Sequence, residues 1–291
     1  MKPLAITLGD PAGIGPEVVA KALRQIDVPH RLFGETREPV RYGEISAASG
    51  RIALDAIESA IQSIERGECS ALVTAPIHKQ AIALAGSPHP GHTEILAARA
   101  GLTRYAHDFA MYFDSPRLRT VLLSVHVSLR EAIDAIDADA IAALARLTTR
   151  ELTRLHGKAP RIAVAGLNPH AGEGGQFGFE EERIAHGVEL ARRDGLDVSG
   201  PHPPDTVFLA AVNGKYDVVM AMYHDQGLIP IKTLDFERSV NVTIGLPYLR
   251  VSVDHGTAFD IAGRGIADAA PMRYAIEWAA AHAPRFARKE R

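Results

Sequence analysis

Short apolar runs alternate with amphipathic segments along most of the chain, and this alternation predicts an α/β fold. Residues 4–8, 71–74 and 218–222 are short, mainly apolar runs, which is the pattern of strands covered on both faces of a sheet. Residues 52–64 and 139–155 instead repeat apolar side chains at helical spacing, so their apolar faces are predicted to join the core.

Turn and cap residues predict several further boundaries. Ser49 is a candidate N-cap for the helix at 52–64. Residues 108–113 and 120–125 predict two neighbouring strands joined by a turn. Residues 27–45 are polar and contain several Pro and Gly, so they are predicted to form turns. Two more helices are predicted, at 180–193 and 271–281.

Length, charge and cysteine content narrow the class of protein. The 291 residues are enough for two domains or one large α/β domain. A net charge of −3 gives no overall basic field, which argues against nucleic acid or an anionic membrane as a partner. The single cysteine, Cys69, excludes an internal disulfide. No secretory signal opens the chain and no apolar stretch reaches the roughly 18 residues of a membrane span, so a cytoplasmic protein is expected.

Three apolar runs are each followed by a histidine. His126 ends the run at 120–125, His224 comes just after the run at 218–222, and His170 lies a few residues beyond a third run. The carboxyl ends of strands form the usual ligand-binding edge of an open α/β sheet. Because neutral imidazole is a common metal ligand, the repeated position favours a shared metal site.

Each of these residues also has a purely structural interpretation. A single histidine is more often a structural or surface residue than a ligand, and the spacing of the three matches no local zinc signature. Asp205 is either the cap of a short helix that begins at Thr206 or a carboxylate that faces the histidines. These alternatives stay open, because sequence does not show which residues meet in space.

Two loops contain residues suited to anions or to close backbone contacts. The glycine-rich segment 9–17 follows the first strand and lacks the Rossmann spacing, so it either approaches a ligand or only connects two elements. His92 and Thr93 lie at a predicted helix start. Either both residues bind an anion there, or Thr93 only caps the helix, and the local sequence favours the cap. Lys232, Asn241 and Arg250 could together bind a phosphate or carboxylate group as a clamp. Scattered cations are usually surface residues, so spacing alone does not establish this clamp.

Five motifs carry a resemblance that extends over nearly the whole chain. They are GDPAGIGPE at 9–17, GHTE at 91–94, LNPHAGEGG at 167–175, MYHDQG at 222–227 and SVDHGTA at 252–258. In this order they resemble the 4-hydroxythreonine-4-phosphate dehydrogenase family of vitamin B6 biosynthesis and its close paralogues.

The resemblance implies a two-domain α/β fold like that of the isocitrate and isopropylmalate dehydrogenases. It also implies an active site in the interdomain cleft, shared between the subunits of a homodimer. On such a fold, residues 1–102 and 245–291 would form the nucleotide-binding side. Residues 103–244 would form the domain for metal, substrate and dimerisation.

The functional residues of the family fall on matching positions of this chain. Its metal ligands match three histidines: His126, His170 and His224. Its substrate contacts match His92, Thr93, Lys232, Asn241 and Arg250. The candidate catalytic groups are Asp205, Asp225 and Lys232. The two carboxylates are suited to orienting an imidazole or relaying a proton. For Thr93, the match outweighs the local preference for a simple cap.

Cofactor binding is implied for two loops. The segment from His255 to Gly265 is similar to the adenosine-binding loop of the isopropylmalate dehydrogenases. Asp260 would accept hydrogen bonds from the ribose hydroxyls, which favours NAD and leaves NADP as the alternative. The loop at 9–17 would lie near the nicotinamide. The candidate cofactor-binding residues are therefore Asp10, Gly13, Gly15, His255, Gly256 and Asp260.

The implied reaction is the NAD-dependent oxidation of 4-phosphohydroxy-L-threonine, followed by decarboxylation to 3-amino-2-oxopropyl phosphate. One divalent metal ion, Zn, Mg or Co, would assist it. Between Ala22 and Ala71 the chain is several tens of residues shorter than typical biosynthetic members. Two alternatives stay open: a paralogue that oxidises threonate or erythronate 4-phosphate, and a non-catalytic protein that binds metal and a phosphorylated metabolite.

Overall fold

The computed structural model describes residues 2–36 and 40–286, and within them it confirms the predicted α/β class. Its strands are β1 (Leu4–Thr7), β2 (His30–Phe33), β3 (Leu72–Thr74), β4 (Ala110–Asp114), β5 (Arg119–Leu122), β6 (Ile162–Ala165), β7 (Val198–His202), β8 (Val218–Ala221), β9 (Val240–Ile244) and β10 (Arg250–Ser252). Its α-helices are α1 (Gly15–Leu23), α2 (Ala47–Glu65), α3 (Lys79–Leu84), α4 (His92–Arg99), α5 (Leu129–Asp134), α6 (Ala138–His156), α7 (Glu180–Arg193), α8 (Val207–Val212), α9 (His224–Asp235) and α10 (Ala270–His282). None of the described helices combines the length and apolar character needed to cross a membrane.

The chain divides into two compact units. The first comprises Met1–Gly101, Glu237–Val242 and Leu246–Arg291. The second comprises Leu102–Phe236 and Thr243–Gly245.

In the first unit the strand order is β2-β1-β3-β10-β9, and residues 240–242 of β9 belong to this unit. The first four of these strands are parallel, and β9 runs antiparallel to β10. Because Thr7, Thr74 and Ser252 are the last residues of parallel neighbours, the loops that follow them leave the same edge of the sheet. The glycine-rich loop at 9–17 and the loop at 253–267 therefore emerge at the same edge, on either side of the loop that follows β3.

In the second unit the order is β4-β5-β8-β6-β7, with β4 antiparallel to β5 and the remaining pairs parallel. The core between this sheet and its helices is apolar and includes Phe113, Leu122, Val219 and Ile231, each buried. Strands β5, β8 and β6 are adjacent, so the apolar runs that precede the three candidate histidines end at one edge.

Cap chemistry explains where the long helices begin and end. The side chain of Asp137 accepts a hydrogen bond from the amide of Ala140 at the start of α6, and Gly157 ends that helix in a left-handed conformation. The prediction of Ser49 as the cap of α2 is wrong. Ser46 is the cap, and the amide of Ser49 donates to its hydroxyl at 3.1 Å. Ser49 therefore lies inside the first turn of α2 and is the donor to the cap residue, not the cap itself.

Strand β2 and helix α5 are among the elements that were not predicted. Strand β2 lies within the segment 27–45, which was predicted to be turns; residues 37–39 of that segment lie outside the described residues. The residues of β2 are exposed or half-buried, so they lack the apolar signal of a covered strand. Helix α5 is also short, and a capping box between Ser128 and Glu131 starts it.

An ion pair at the amino ends of β6 and β8 makes a testable contribution to stability. Asp217 accepts hydrogen bonds from the amide and the guanidinium of Arg161, the shortest at 2.8 Å. These bonds lower the pKa of Asp217 from 3.8 to about 2. A carboxyl group whose pKa is lower in the folded state than in the unfolded state stabilises the fold at pH values above its unfolded-state pKa. We therefore expect Asp217→Asn to reduce the free energy of unfolding by about 1 kcal/mol at pH 7, allowing for solvent screening.

The same linkage predicts that this difference shrinks as the pH falls from about 4 towards 2, where the wild-type carboxylate becomes protonated. Urea unfolding across that pH range would measure it. The matched control is Asp194→Asn, since the Arg146–Asp194 pair is more exposed and is expected to contribute less. A wild-type stability for Asp217→Asn at pH 7 would contradict the prediction.

Candidate active site

Two of the three candidate histidines lie together at the carboxyl edge of the second unit. The ring centroids of His126 and His224 are 6.1 Å apart. His126 follows β5, and His224 is the first residue of α9, directly beyond β8. Beside both rings is a cavity of about 230 Å³, which Ser124, Tyr223 and Asp225 also line. The folding of β5 beside β8 is what brings these imidazoles together.

His170 follows β6, the strand beside β8 in the sheet. Its ring does not join those of His126 and His224 in one metal-binding group within the described residues. Its described neighbours are Glu173, at 4.0 Å, and the ring of Phe177, at 6.3 Å between centroids. Its side chain is 65% exposed. Among residues 2–36 and 40–286, no three His, Cys, Asp or Glu side chains form a ready-made metal-binding group.

The backbone is strained at two of the three histidines. His126 has φ of 52° and His170 has φ of 55°, both in the left-handed region that residues with a Cβ rarely adopt. Each such conformation costs on the order of 1–3 kcal/mol and persists where the surroundings hold it. Strain of this kind is concentrated at binding and catalytic sites, so it favours a functional role for both residues.

Of the two candidate carboxylates, only Asp225 contacts a histidine. Its Oδ1 lies 2.6 Å from Nδ1 of His224. A carboxylate in that position orients the imidazole and fixes its tautomer, leaving Nε2 as the ligating atom. Asp205 is exposed and has no hydrogen bond or ion pair within the described part of the chain. Nor does it cap α8, because Thr206 occupies the N-cap position and no side chain caps that helix.

Sequence reasoning missed two residues that hold this edge together. The buried Gln226 accepts a hydrogen bond from the amide of Met222 at 2.7 Å and donates to the carbonyl of Gly166 at 2.8 Å. The hydroxyl of Ser124 donates to the carbonyl of Met222 at 2.9 Å. The ends of β5, β8 and β6 are thereby linked. Gln226 belongs to the MYHDQG motif, which was the available signal for its role.

Replacing Gln226 by leucine is expected to destabilise the fold by about 1–3 kcal/mol. The substitution keeps the bulk of the side chain but leaves a buried amide and a buried carbonyl without partners. Thermal or urea unfolding would measure the change. Thr233→Ala, on the exposed side of the same helix, is the control and is expected to have little effect. Equal stability of the leucine variant and the wild type would contradict this account.

Candidate substrate residues of the first unit lie on α4, β9 and β10. Thr93 is the second residue of α4, whose N-cap is Gly91, so the interpretation of Thr93 as the cap is wrong. The Nε2 atom of His92 and the Oδ1 atom of Asn241 are buried without a hydrogen-bond partner in the described part of the chain. Buried polar atoms are normally paired. These two atoms are therefore available to a ligand.

Arg250 places a positive charge among these residues. It is 2% exposed, and its guanidinium donates to the hydroxyl of Thr74 at 2.8 Å. Burial lowers its pKa to about 10, while Tyr248 and Glu94 oppose that shift. Burial, together with the charge of Arg250, also lowers the pKa of His92 well below its usual range. A buried guanidinium beside a neutral imidazole suits a phosphate or carboxylate group. Lys232 belongs to the second unit, on α9, with its ammonium 6.0 Å from the ring centroid of Phe236.

The glycine-rich loop packs on its own chain. A Cβ on Gly15 would overlap the carbonyl oxygen of Leu8, and one on Gly13 would lie 2.8 Å from the carbonyl oxygen of Thr257. Asp10 is fully buried and accepts a hydrogen bond from the amide of Ala12 at 2.9 Å; burial raises its pKa. The close backbone approach that these glycines permit is thus an approach to neighbouring protein loops.

Parts of the loop at 253–267 are open to solvent, unlike the candidate residues of the glycine-rich loop. The amide of Ile14 donates to the carbonyl of Thr257 at 3.0 Å, so the glycine-rich loop supports it from within. Gly256 and Asp260 are exposed, and a Cβ on Gly256 would meet no atom within 4 Å. His255 is half-buried, with Nδ1 3.0 Å from the carbonyl oxygen of Gly256. Of the candidate cofactor residues, these three are therefore the accessible ones.

A family model described as pyridoxal phosphate biosynthetic protein PdxA matches residues 11–279. The chain belongs to the PdxA family. A 4-hydroxythreonine-4-phosphate dehydrogenase of Beijerinckia indica subsp. indica is 45% identical over 320 positions, covering 95% of this chain and 94% of the relative. A D-threonate 4-phosphate dehydrogenase of Salmonella typhimurium is 40% identical over 324 positions, covering 96% of this chain and 98% of the relative.

Solved structures agree with this membership of the PdxA family. The crystal structure of a 4-hydroxythreonine-4-phosphate dehydrogenase from Klebsiella pneumoniae has a TM-score of 0.85 and 38% identity, covering 97% of this chain and all of that one. An isocitrate dehydrogenase from Methylococcus capsulatus has a TM-score of 0.52 and 14% identity, covering 98% of this chain and 88% of that one. The latter likeness concerns the fold alone, and it confirms the predicted fold class.

The PdxA-family relatives named above are dehydrogenases, so the chain is assigned as an oxidoreductase. The alignment to the Beijerinckia relative spans 320 positions, more than the 291 residues present here. That relative therefore contains residues that this chain lacks.

Proposed function

We propose that this protein oxidises 4-phosphohydroxy-L-threonine with NAD and then decarboxylates the product to 3-amino-2-oxopropyl phosphate, as a step of vitamin B6 biosynthesis. The observation that carries the proposal is the pair His126 and His224 beside a cavity, 6.1 Å apart between ring centroids, in a chain of the PdxA family. Metal-assisted oxidation of an alcohol needs such ligands.

A divalent metal ion fits the donor groups at this edge. His126, His170 and His224 would hold it, and Asp225 would orient the imidazole of His224 through Nδ1. Imidazole nitrogens favour Zn or Co, whereas Mg prefers oxygen ligands. When bound, the metal would act as a Lewis acid on the oxygen of the substrate alcohol and of the ketone that replaces it.

We also propose a homodimer in which a second copy completes the ligand set. His170 is not grouped with the other two histidines of its own chain, which supports this arrangement. Large apolar side chains near the same edge are exposed to solvent, as expected of a surface that a partner covers. They include Val127, Leu129, Phe177 and Phe179, which are 49–67% exposed.

We also propose which charged and polar groups recognise the substrate. Arg250 would bind the phosphate, with His92, Thr93 and Asn241 hydrogen-bonded to the rest of the ligand. The orphaned Nε2 of His92 and Oδ1 of Asn241 support this assignment. Lys232 would also contact the substrate.

The chemistry assigns a proton-transfer role to Lys232 and the two aspartates. NAD, when bound, would be the acceptor for the hydride of the alcohol carbon, and Asp205 or Asp225 would accept the proton that the hydroxyl releases. Loss of the carboxylate as carbon dioxide leaves its electron pair on the neighbouring carbon, and the ammonium of Lys232 would protonate that carbon. The exposed position of Asp225 beside His224 suits the first transfer.

For the cofactor, we propose that His255, Gly256 and Asp260 contact the adenosine half. Asp260 would accept from the ribose hydroxyls, and its charge disfavours the 2′-phosphate of NADP. Asp10, Gly13 and Gly15 would contribute by supporting that loop from the interior of the unit.

A second candidate substrate, D-threonate 4-phosphate, is supported by a specific observation. The Salmonella typhimurium relative that is 40% identical carries that name. NADH formation by the metal-loaded protein, measured with 4-phosphohydroxy-L-threonine, D-threonate 4-phosphate and D-erythronate 4-phosphate, distinguishes the candidates. The largest kcat/KM for the first substrate is the expected result. A clear preference for either sugar acid would overturn the assignment, and binding of metal and ligand without NAD binding would identify a non-catalytic protein.

A further inference from the structure

A buried carboxylate on α7 contacts the segment that leads into His170. Glu181 is the second residue of α7 and is 8% exposed. Its Oε1 accepts hydrogen bonds from the amides of Leu167, at 2.9 Å, and Asn168, at 2.7 Å. Its Oε2 accepts from Nδ2 of Asn168 at 2.9 Å. One carboxylate therefore fixes the backbone and the side chain of the residues just before His170.

The same carboxylate also packs against the turn that follows His170. A Cβ on Gly172 would lie 2.9 Å from Oε2 of Glu181, so the absence of a side chain at Gly172 permits this close packing. Gly172 has φ of 78°, which glycine adopts without strain. Glu181 thus contacts the chain on both sides of His170.

The conformation of this turn needs such support. Residues 170–174 all have positive φ, and three of them, His170, Ala171 and Glu173, carry a Cβ. Consecutive left-handed residues are unfavourable for L-amino acids. They are retained only where contacts outside the turn specify them. The hydrogen bonds to Glu181 are contacts of that kind.

We propose that Glu181 is a positioning residue that holds His170 where it can bind the metal. The inference rests on the proposed function, in which His170 is a metal ligand. Neighbouring Glu182 lies in the same helical turn and is exposed, so a role in general charge or helix stability would be common to both residues. Of these two residues, Glu181 is the one that contacts the His170 segment. Glu180 also accepts a hydrogen bond from Nδ2 of Asn168, at 2.8 Å, but makes none to the backbone amides that Glu181 holds.

The test is a calorimetric titration of the metal-free protein with Co²⁺, comparing wild type with Glu181→Gln and Glu182→Gln. Both variants remove one charge, but only the first disturbs the acceptors of Leu167 and Asn168. We expect Glu181→Gln to weaken Co²⁺ binding by about 10- to 100-fold, the usual effect of losing a group that orients a ligand. Glu182→Gln is expected to bind like wild type.

Two further measurements separate positioning from a structural role. In a His170→Ala background, adding Glu181→Gln should change the Co²⁺ affinity no further, because the group through which it acts is absent. Turnover of Glu181→Gln should recover at saturating Co²⁺. Should Glu181→Gln fail to fold, Asn168→Ala decides instead: weakened Co²⁺ binding supports the proposal, and wild-type affinity overturns it.

A folded Glu181→Gln variant with wild-type Co²⁺ affinity would overturn the inference and leave the proposed function intact. A wild-type protein that binds no Co²⁺, Zn²⁺ or Mg²⁺ would overturn the proposed metal site, and the inference with it. The two failures are therefore distinguishable from the same set of titrations.

Discussion

His224→Ala is expected to weaken binding of the divalent metal by more than about 100-fold and to reduce turnover at a fixed metal concentration accordingly. Loss of a group that orients a ligand typically costs 10- to 100-fold, so loss of the ligand itself should cost more. The geometry supports this ranking, because Asp225 contacts Nδ1 of His224 and leaves the other nitrogen for the metal. Metal titration by calorimetry and NADH formation would measure both effects.

Asp225→Asn is the matched comparison for His224→Ala. It keeps the side-chain volume and one oxygen acceptor for Nδ1 of His224 but removes the charge. We expect an effect smaller than that of the histidine variant and in the same direction. Metal affinity close to wild type in His224→Ala would exclude this edge of the sheet as the metal site.

Arg250→Leu is expected to raise KM for the phosphorylated substrate by about 10- to 150-fold. A hydrogen bond to a charged group contributes about 1.5–3 kcal/mol, and 1.4 kcal/mol is a factor of ten in affinity. Arg250 is 2% exposed, so water would not replace the lost contact easily. KM for NAD should change little if the guanidinium contacts the phosphate of the substrate.

The control for Arg250 is Arg99→Leu, at the other end of α4 from His92. Arg99 pairs with Glu58 and Glu65 and is 38% exposed, so its loss removes one positive charge of the same unit without affecting a buried group. Its KM should match wild type. If Arg250→Leu folds and also keeps the wild-type KM, the phosphate binds elsewhere.

Much of the fold could be predicted because strands covered on both faces and capped helices have strong sequence patterns. Strands β1, β3 and β8 appear close to the predicted positions, and α7 has the predicted bounds 180–193. Strand β2 was missed because its side chains are exposed or half-buried. An edge strand of this kind has the composition of a loop.

The candidate site was predictable in position but not in geometry. The histidines after β5, β6 and β8 share an edge because those strands are parallel neighbours, which strand-end reasoning anticipated. The separation of His170 from the other two depends on a run of left-handed residues, and sequence does not determine φ for a non-glycine residue. Likewise, the hydrogen bonds of Gln226 and Glu181 join residues 60 and 13–14 positions away, and no local pattern reveals them.

The glycine-rich loop shows how a motif can be recognised without its contacts being known. The sequence left open whether segment 9–17 approaches a ligand or only connects two elements, and the resemblance placed it near the nicotinamide. Gly15 and Gly13 of this segment face the carbonyl oxygens of Leu8 and Thr257. Absence of a Cβ permits close approach to a ligand and to protein backbone alike, so the sequence does not distinguish the two.

The most direct measurement is reactivation of the metal-depleted protein with 4-phosphohydroxy-L-threonine and NAD, following NADH as Zn²⁺, Co²⁺ or Mg²⁺ is added back to wild type and to His170→Ala. We predict that Zn²⁺ or Co²⁺ restores turnover in wild type, and that His170→Ala stays inactive at the same metal concentration while remaining folded. Full turnover without added metal, or equal reactivation of the variant, would contradict the assignment of these histidines as the metal site of a dehydrogenase.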